Sequence, residues 1–235
     1  MVRRGAIMKI LECKRIDTQN YDNITYIRIE PEDISVTLRD IISSLSDMSW
    51  ISRFDKTYVR NCFFKRADES AKYLADKIQK NIDDVITKDS GEYVVSELAR
   101  KALVIQMKYL DVPLAELFKE QVSGNPGFDF YSANNDNIII FGEAKYNSRN
   151  NAYGVGMEQV DRFIREGQDL SDLNDIDKFF EDESLDYANN GDKAYAIAFA
   201  SKGTSSETII KGIVSNSHYT NIAENKEVLY LAVNI

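Results

Sequence analysis

The first half of the chain alternates between strand-like and helix-like patterns of apolar residues. Residues 10–13 and 24–29 are short aliphatic runs that predict strands. Apolar positions then recur at helical spacing over residues 34–45, 67–85 and 90–110, which predicts three helices. This half is therefore predicted to be rich in helix, with two short strands near its start.

The second half begins with a predicted β-hairpin. Residues 128–131 and 138–146 are apolar runs joined by the turn-forming sequence SANNDN. Helical spacing follows over residues 157–166. The remaining predicted elements are a buried strand at 194–200, a helix at 207–214 and a strand at 227–233.

The order of elements from residue 90 onward is helix, hairpin, helix, strand, helix and strand, which indicates a mixed α/β fold. We therefore divide the chain into an α-rich N-terminal extension with short strands, residues 1–89, and an α/β core, residues 90–235. Residues 166–192 lie between the helix predicted at 157–166 and the strand predicted at 194–200. We interpret this stretch as an acidic insertion.

Composition excludes several classes of protein. The 235 residues are 43% hydrophobic and carry a formal net charge of −9. No run approaches the roughly 18 apolar residues of a membrane helix, and the first residues lack a secretory cleavage pattern. A cytoplasmic protein without a membrane partner is therefore expected, and two cysteines are too few for a disulfide framework.

The single histidine, His218, excludes most imidazole-based chemistry, including Ser-His-Asp triads and His-rich zinc centres. It lies in the polar sequence SNSHYT, where a surface or capping role is expected. The chain also contains no GxxxxGK[ST] phosphate-binding loop. The candidate chemistry must therefore rest on carboxylates and lysines.

Charged residues interrupt the apolar strand at 138–146. This strand is apolar on both faces as far as Phe141, but Glu143 and Lys145 follow and project from one face. Burying these charges costs free energy unless they serve each other or a ligand. Pairing across the hairpin would bring Asp129 beside Glu143, and two carboxylates with a lysine can hold Mg²⁺, or Mn²⁺, and orient a water molecule.

The sequence Gly127-Phe128-Asp129, a short hairpin and Gly142-Glu143-Ala144-Lys145 together resemble the PD-(D/E)XK nuclease superfamily. The resemblance covers residues 90–235 and implies a restriction-endonuclease-like core, with a mixed central sheet flanked by helices. It also implies a metal-dependent endonuclease that hydrolyses DNA. The proline that usually precedes the first acid is displaced here to Pro126.

The resemblance assigns roles to the motif residues. It implies that Asp129 and Glu143 bind the metal, that the Ala144 backbone carbonyl is a further ligand, and that Lys145 positions or activates the attacking water. A second Glu-x-Lys triplet, beginning at Glu12, has no preceding acid at hairpin distance. We therefore place the candidate site at the later triplet.

Two further positions match family features. Members often carry a metal-binding acid on the first core helix, where Glu92 lies at the edge of the apolar face and Glu97 points away from it. We choose Glu92 as a catalytic and metal-binding residue and keep Glu97 in reserve. Gln159, with Phe163 four positions later, matches a glutamine that would bond a phosphate or a water.

The sequence FGEAKY, together with an α-rich extension before the core, makes the chain similar to the nuclease subunits of Hachiman anti-phage defence systems. That similarity implies a helicase partner that restrains the nuclease. The alternative from another functional class is a non-catalytic DNA-binding or regulatory subunit that retains the nuclease fold. A structural scaffold is a third interpretation, in which charge removal at Glu143 and Lys145 changes only stability.

The negative charge is concentrated in residues 166–192, which hold ten acids and one lysine and leave the rest of the chain neutral. One interpretation is a solvated loop with a short helix around 173–180. The other is a segment that docks a basic partner or screens the DNA-binding face.

Basic and aromatic residues interleave in the N-terminal region. This cluster has three interpretations: a surface that binds nucleic acid, an interface with a partner protein, or part of the core. The basic residues are Arg53, Lys56, Arg60, Lys65 and Arg66, and the aromatic residues are Trp50, Phe54, Tyr58, Phe63 and Phe64.

Overall fold

The computed structural model describes residues 8–18, 20–79, 88–119 and 127–235. The strands are β1 (Met8–Arg15), β2 (Ile24–Pro31), β3 (Phe130–Ala133), β4 (Ile139–Lys145), β5 (Ala194–Ser201) and β6 (Glu227–Asn234). The α-helices are α1 (Ile34–Leu45), α2 (Thr57–Gln79), α3 (Lys88–Ala102), α4 (Ala115–Phe118), α5 (Tyr153–Glu166), α6 (Gln168–Ile176), α7 (Asp182–Asn189), α8 (Ser206–Val214) and α9 (Tyr219–Ala223). Short 3₁₀ turns lie at Ser49–Arg53 and Asp177–Phe179.

The strands form one mixed sheet in the order β1-β2-β6-β5-β4-β3. The outer pairs β1/β2 and β3/β4 are antiparallel, whereas β2, β6, β5 and β4 run parallel. All eight residues of β5 are buried, as expected for a central strand covered on both faces. The fold is therefore α/β, with a mixed six-stranded sheet flanked by helices.

The sheet crosses the sequence boundary drawn at residue 89/90. Strand β2 pairs in parallel with β6, with Ile24 opposite Val228 and Ile29 opposite Val233. Helix α2 packs against α1, α3 and α4. The N-terminal extension thus contributes two strands to the same sheet as the predicted core.

Local side chains explain several element boundaries. Helix α1 begins as predicted, because Asp33 is its N-cap and accepts a hydrogen bond from the Val36 amide (2.9 Å). In the hairpin turn, the Asn134 side chain accepts from the amides of Asp136 and Ile138 (3.0 Å each). The predicted hairpin is confirmed.

Other boundaries differ from the predictions. Helix α2 begins at Thr57 instead of Ala67, because exposed polar residues mask the apolar spacing of its first turns. Its predicted end at Val85, and Pro126, lie outside the described residues. Helix α3 ends at Ala102, a wider π-helical turn follows, and Lys108 then adopts a left-handed backbone (φ 62°), so the predicted end at Leu110 was wrong.

Residues 166–192 are not a solvated loop with one helix near 173–180. They form α6, a 3₁₀ turn and α7. Asp169 and Asp172 of this acidic segment are each 2% exposed. Asp169 pairs with Lys193 Nζ (2.8 Å) and accepts a hydrogen bond from the Tyr195 hydroxyl. Buried partners therefore fix this segment to the sheet.

The N-terminal aromatic residues separate into two groups. Trp50, Phe54 and Phe63 pack around Phe179 of the acidic segment, with ring centroids 4.9 to 6.2 Å apart. Of the three interpretations, the structure therefore supports the core for this group. Tyr58 and Phe64 are exposed, like many apolar residues at protein surfaces.

Within the described residues, no helix is long and apolar enough to cross a membrane.

Candidate active site at the open end of the hairpin

The pairing of the hairpin strands places the carboxylate of Asp129 close to that of Glu143. Phe130 pairs with Gly142, and the Asp129 amide donates to the Gly142 carbonyl oxygen (2.8 Å). Asp129 therefore lies beside Glu143, at the end of the hairpin farthest from the turn. The Ala144 amide donates to Asp129 Oδ2 (2.7 Å), which orients the carboxylate toward the candidate site.

Lys145 connects strand β4 to helix α3. Its Nζ lies 2.6 Å from Glu143 Oε1 and 3.8 Å from Glu92 Oε1 of helix α3. The Glu143 side chain is 1% exposed, Lys145 is 15% exposed, and Glu92 is 44% exposed. The structure thus brings together Asp129, Glu143, Lys145 and Glu92, with the Ala144 backbone between them.

Two glycines allow helices to approach the ends of these strands. A Cβ at Gly156 of α5 would lie 2.7 Å from Ile197 and 3.7 Å from Lys145 Cγ. A Cβ at Gly91 of α3 would lie 2.2 Å from Cγ of Tyr146. Larger residues would push either helix away. Gly91 directly precedes Glu92, so this close approach helps place that carboxylate.

The remaining two predicted residues are placed differently. Gln159 lies partly buried on α5, one turn beyond Gly156, and within the described chain it makes no side-chain hydrogen bond to the candidate site. Glu97 is buried on α3 and bonds to Arg100 Nε (2.8 Å) and the Ser44 hydroxyl (2.6 Å). Although burial alone would raise its pKa, Arg100 and Lys101 lower the pKa of Glu97. Glu97 therefore belongs to a structural ion-pair network.

The carboxylates repel each other in a poorly hydrated environment. Burial and the neighbouring Asp129 charge raise the pKa of Glu143 well above its usual value, although Lys145 acts in the opposite direction. Burial, reinforced by Glu92, raises the pKa of Asp129 to about 6. Burial opposes the charge on Lys145, but Glu143 and Asp129 raise its pKa overall, so it is a cation at neutral pH.

One oxygen of this cluster lacks a hydrogen-bond partner in the part of the chain that the structure describes. Glu143 Oε2 is buried and accepts no hydrogen bond from any described residue. An unsatisfied buried carboxylate oxygen is costly, and a bound cation is one way to satisfy it. Hard divalent cations prefer such oxygen ligands. The donor set therefore fits Mg²⁺ or Mn²⁺, although no three His, Cys, Asp or Glu side chains in the described ranges already form a compact metal-binding group.

Sequence analysis missed a further carboxylate, Glu116 of helix α4. It lines a cleft of about 360 Å³ together with Glu92, Asp129, Tyr73 and other residues. Burial and the charge of Asp129 raise the pKa of Glu116 to about 8. The sequence did contain a signal for this residue. Glu116 is an acid within the apolar sequence PLAELF, just as Asp129 is an acid within FDFY.

The acidic segment positions Asp129 through a second missed residue, Asp172. Asp172 Oδ2 accepts hydrogen bonds from the Phe128 amide (3.0 Å) and the Tyr131 hydroxyl (2.5 Å). It also pairs with Lys119 Nζ (2.9 Å). These bonds hold the chain on both sides of Asp129.

Replacing Asp172 with alanine is expected to lower the free energy of unfolding by about 3 kcal/mol, because Lys119 and two buried donors lose their acceptor. Urea denaturation would measure the change. Asp175→Ala, at an exposed position of the same helix, should stay within about 0.5 kcal/mol of the parent protein. Equal effects of the two substitutions would contradict the positioning role.

Comparison of the chain with protein-family models, with curated proteins and with solved structures finds no match. The functional argument therefore rests on the geometry and chemistry described above.

Proposed function

We propose that the chain is a Mg²⁺-dependent deoxyribonuclease of the PD-(D/E)XK type, in which β3, β4, β5 and β6 with α3 and α5 form a restriction-endonuclease-like core. The observation that carries the proposal is the meeting of Asp129, Glu143 and Lys145 at the open end of one hairpin, with a buried Glu143 oxygen that has no described partner. Burying these charges lowers the stability of the fold, so an arrangement that served stability alone would not be expected to keep them.

Each residue would have a distinct role. Asp129 and Glu143 would hold the cation, with Glu92 and the Ala144 carbonyl as further ligands. When bound, the cation supplies a Lewis acid and lowers the pKa of a coordinated water. The Lys145 ammonium, fixed by Glu143, would orient the attacking water or stabilise the negative charge developing on the phosphate. Gln159 would contact a phosphate oxygen or a water from α5.

The negative net charge supports dependence on a partner. Affinity for DNA rests largely on neutralising phosphates, and a chain with a net charge of −9 is poorly suited to bind DNA alone. We extend the proposal to an effector of anti-phage defence that a helicase partner gates. The same charge favours one alternative, a non-catalytic DNA-binding or regulatory subunit.

The test is incubation of the purified chain with linear, supercoiled and single-stranded DNA in Mg²⁺ or in EDTA. Because the free chain binds DNA poorly, we expect slow cleavage in Mg²⁺ that EDTA abolishes. A folded Asp129→Asn/Glu143→Gln variant should be inactive, because both metal-binding charges are removed. DNA binding that is equal in Mg²⁺ and EDTA, without cleavage of any substrate, would overturn the nuclease proposal in favour of the non-catalytic subunit.

A further inference from the structure

The N-terminal extension contributes an aromatic ring and a cation to the cleft beside Asp129. Tyr73 and Lys77 lie one turn apart on helix α2, and both line this cleft. Tyr73 is 50% exposed, and Lys77 Nζ lies 5.5 Å from the centre of its ring. The roles proposed above for the cleavage reaction use neither residue. Helix α2 therefore places a tyrosine and a lysine next to the candidate site.

The size of the cleft limits what can enter it. Its volume is about 360 Å³, near the lower end of the range for ligand pockets. Such a volume holds a group of roughly the size of one base, whereas the major groove of duplex DNA alone is about 12 Å wide. The cleft therefore suits a base that has left the stack and excludes a paired helix.

The charge of the cleft favours a base over a phosphate. Glu92, Glu116 and Asp129 line it together with Lys77. A phosphate inside the cleft would be repelled by three carboxylates. A base has no net charge, and the N–H groups on its edge donate hydrogen bonds to carboxylate oxygens. The acidic lining is therefore compatible with a base, while the phosphates stay outside the cleft.

Tyr73 offers such a base a ring on which to stack. Unpaired bases stack on aromatic side chains whatever their sequence, with a gain of about tenfold in affinity for each base. Bases in a duplex are already stacked and paired, so they gain little from the same ring. Lys77, one turn along the helix, can contact a phosphate next to the stacked base. An aromatic ring with a nearby cation is the usual combination for binding single strands.

We propose that Tyr73 is a stacking platform for one unpaired base, with Lys77 on a neighbouring phosphate, and that the substrate is therefore single-stranded DNA. The inference rests on the proposed function, which places the phosphate to be cleaved at Asp129, Glu143 and Lys145. Asp129 belongs to that site and also lines the cleft. The stacked base would thus lie beside the nucleotide that is cut.

The start of the same helix provides a matched control pair. Tyr58 is 69% exposed, and Lys56 Nζ lies 6.0 Å from the centre of its ring. At 1.5 Å per residue, Tyr58 lies about 22 Å from Tyr73 along the helix, and it is not among the residues that line the cleft. The two pairs have the same chemistry, so they differ mainly in their distance from the candidate site.

The experiment measures binding of the full chain to a single strand and to a duplex of equal length, in EDTA and at low ionic strength. Fluorescence anisotropy gives the affinity, and quenching of a fluorescent base analogue reports stacking. We expect wild type to prefer the single strand and to quench the analogue. Tyr73→Ala should weaken single-strand binding about tenfold and abolish quenching, whereas Tyr73→Phe and Tyr58→Ala should retain both. Lys77→Met should reduce the salt dependence by about one phosphate contact.

Four results would overturn the inference. They are unchanged single-strand affinity in Tyr73→Ala, an equal loss in Tyr58→Ala, tighter binding of the duplex by wild type, and no binding of the single strand by wild type. Melting temperatures provide the folding check, and Tyr73→Ala should melt close to wild type because the residue is half exposed.

The inference and the proposed function fail in different ways. Binding in EDTA does not depend on cleavage, so the expected binding pattern without cleavage of any DNA in Mg²⁺ would overturn the nuclease and leave the stacking platform. Metal-dependent cleavage that prefers duplex DNA and is unchanged in Tyr73→Ala would overturn the stacking platform and leave the nuclease.

Discussion

Replacing Lys145 with methionine is expected to lower Mg²⁺-dependent DNA cleavage at least about 100-fold, the usual effect of removing a preorganised charge from a reaction centre. The ammonium group is held 2.6 Å from Glu143 and is 15% exposed, so it faces the proposed site rather than bulk solvent. Methionine preserves most of the side-chain volume and removes the charge. Initial cleavage rates, normalised to folded protein, measure the effect.

Stability must be controlled, because Lys145→Met leaves Glu143 buried without its cation. Breaking a buried pair on one side typically costs about 3 kcal/mol or more. The double variant Glu143→Gln/Lys145→Met removes both charges and should recover much of that loss while remaining inactive. An active double variant would show that this pair serves the fold alone.

The chain supplies a matched control in its other strand-borne Glu-x-Lys triplet. On β1, Lys14 Nζ lies 2.9 Å from Glu12 Oε2, and both side chains are at least one-third exposed. Lys14→Met removes the same kind of pair from a strand of the same sheet. We expect no change in cleavage and a stability change below about 1 kcal/mol, since exposed pairs contribute little.

Local sequence patterns predicted the hairpin and the placement of its charges. The period of two along β4 places Glu143 and Lys145 on one face, and the Asn and Asp residues of the turn fix the register. The register then determines that Asp129 lies beside Glu143. These relationships involve short separations along the chain, which is why residue types alone could predict them.

The features that were missed depend on distant pairing. Asp172 contacts residues more than forty positions earlier in the sequence, and β2 joins β6 across some two hundred residues. An acidic run looks solvated when its partners are unknown, since most such runs are. Glu116 was missed for the same reason, because only the folded cleft brings it to Asp129.

Without a metal ion, the carboxylates of the proposed site should lower the free energy of unfolding. Replacing Asp129 with asparagine is therefore expected to stabilise the metal-free protein. The pKa of Asp129 is raised to about 6 from its ordinary 3.8. A raised folded-state pKa means that the ionised form costs stability at every pH above that value, up to about 3 kcal/mol at 1.36 kcal/mol per unit. The asparagine oxygen can still accept the hydrogen bond from the Ala144 amide.

Thermal unfolding in EDTA at pH 8 should therefore show Asp129→Asn melting several degrees above the parent protein, at about 2 to 4 °C per kcal/mol for a chain of this size. The same variant should lose cleavage activity and the increase in melting temperature that Mg²⁺ gives the parent. Asp136→Asn makes the same charge change at the exposed hairpin turn and should alter none of the three.

The combination of higher stability and lost activity separates a functional carboxylate from a structural one. A structural Asp129 would lower the melting temperature on substitution, as expected for the buried ion-pair acid Glu97. A lower melting temperature with unchanged cleavage per folded molecule would support the scaffold interpretation. A higher melting temperature with lost cleavage would mean that the fold tolerates unfavourable charges at this hairpin because a bound cation and a phosphate compensate them.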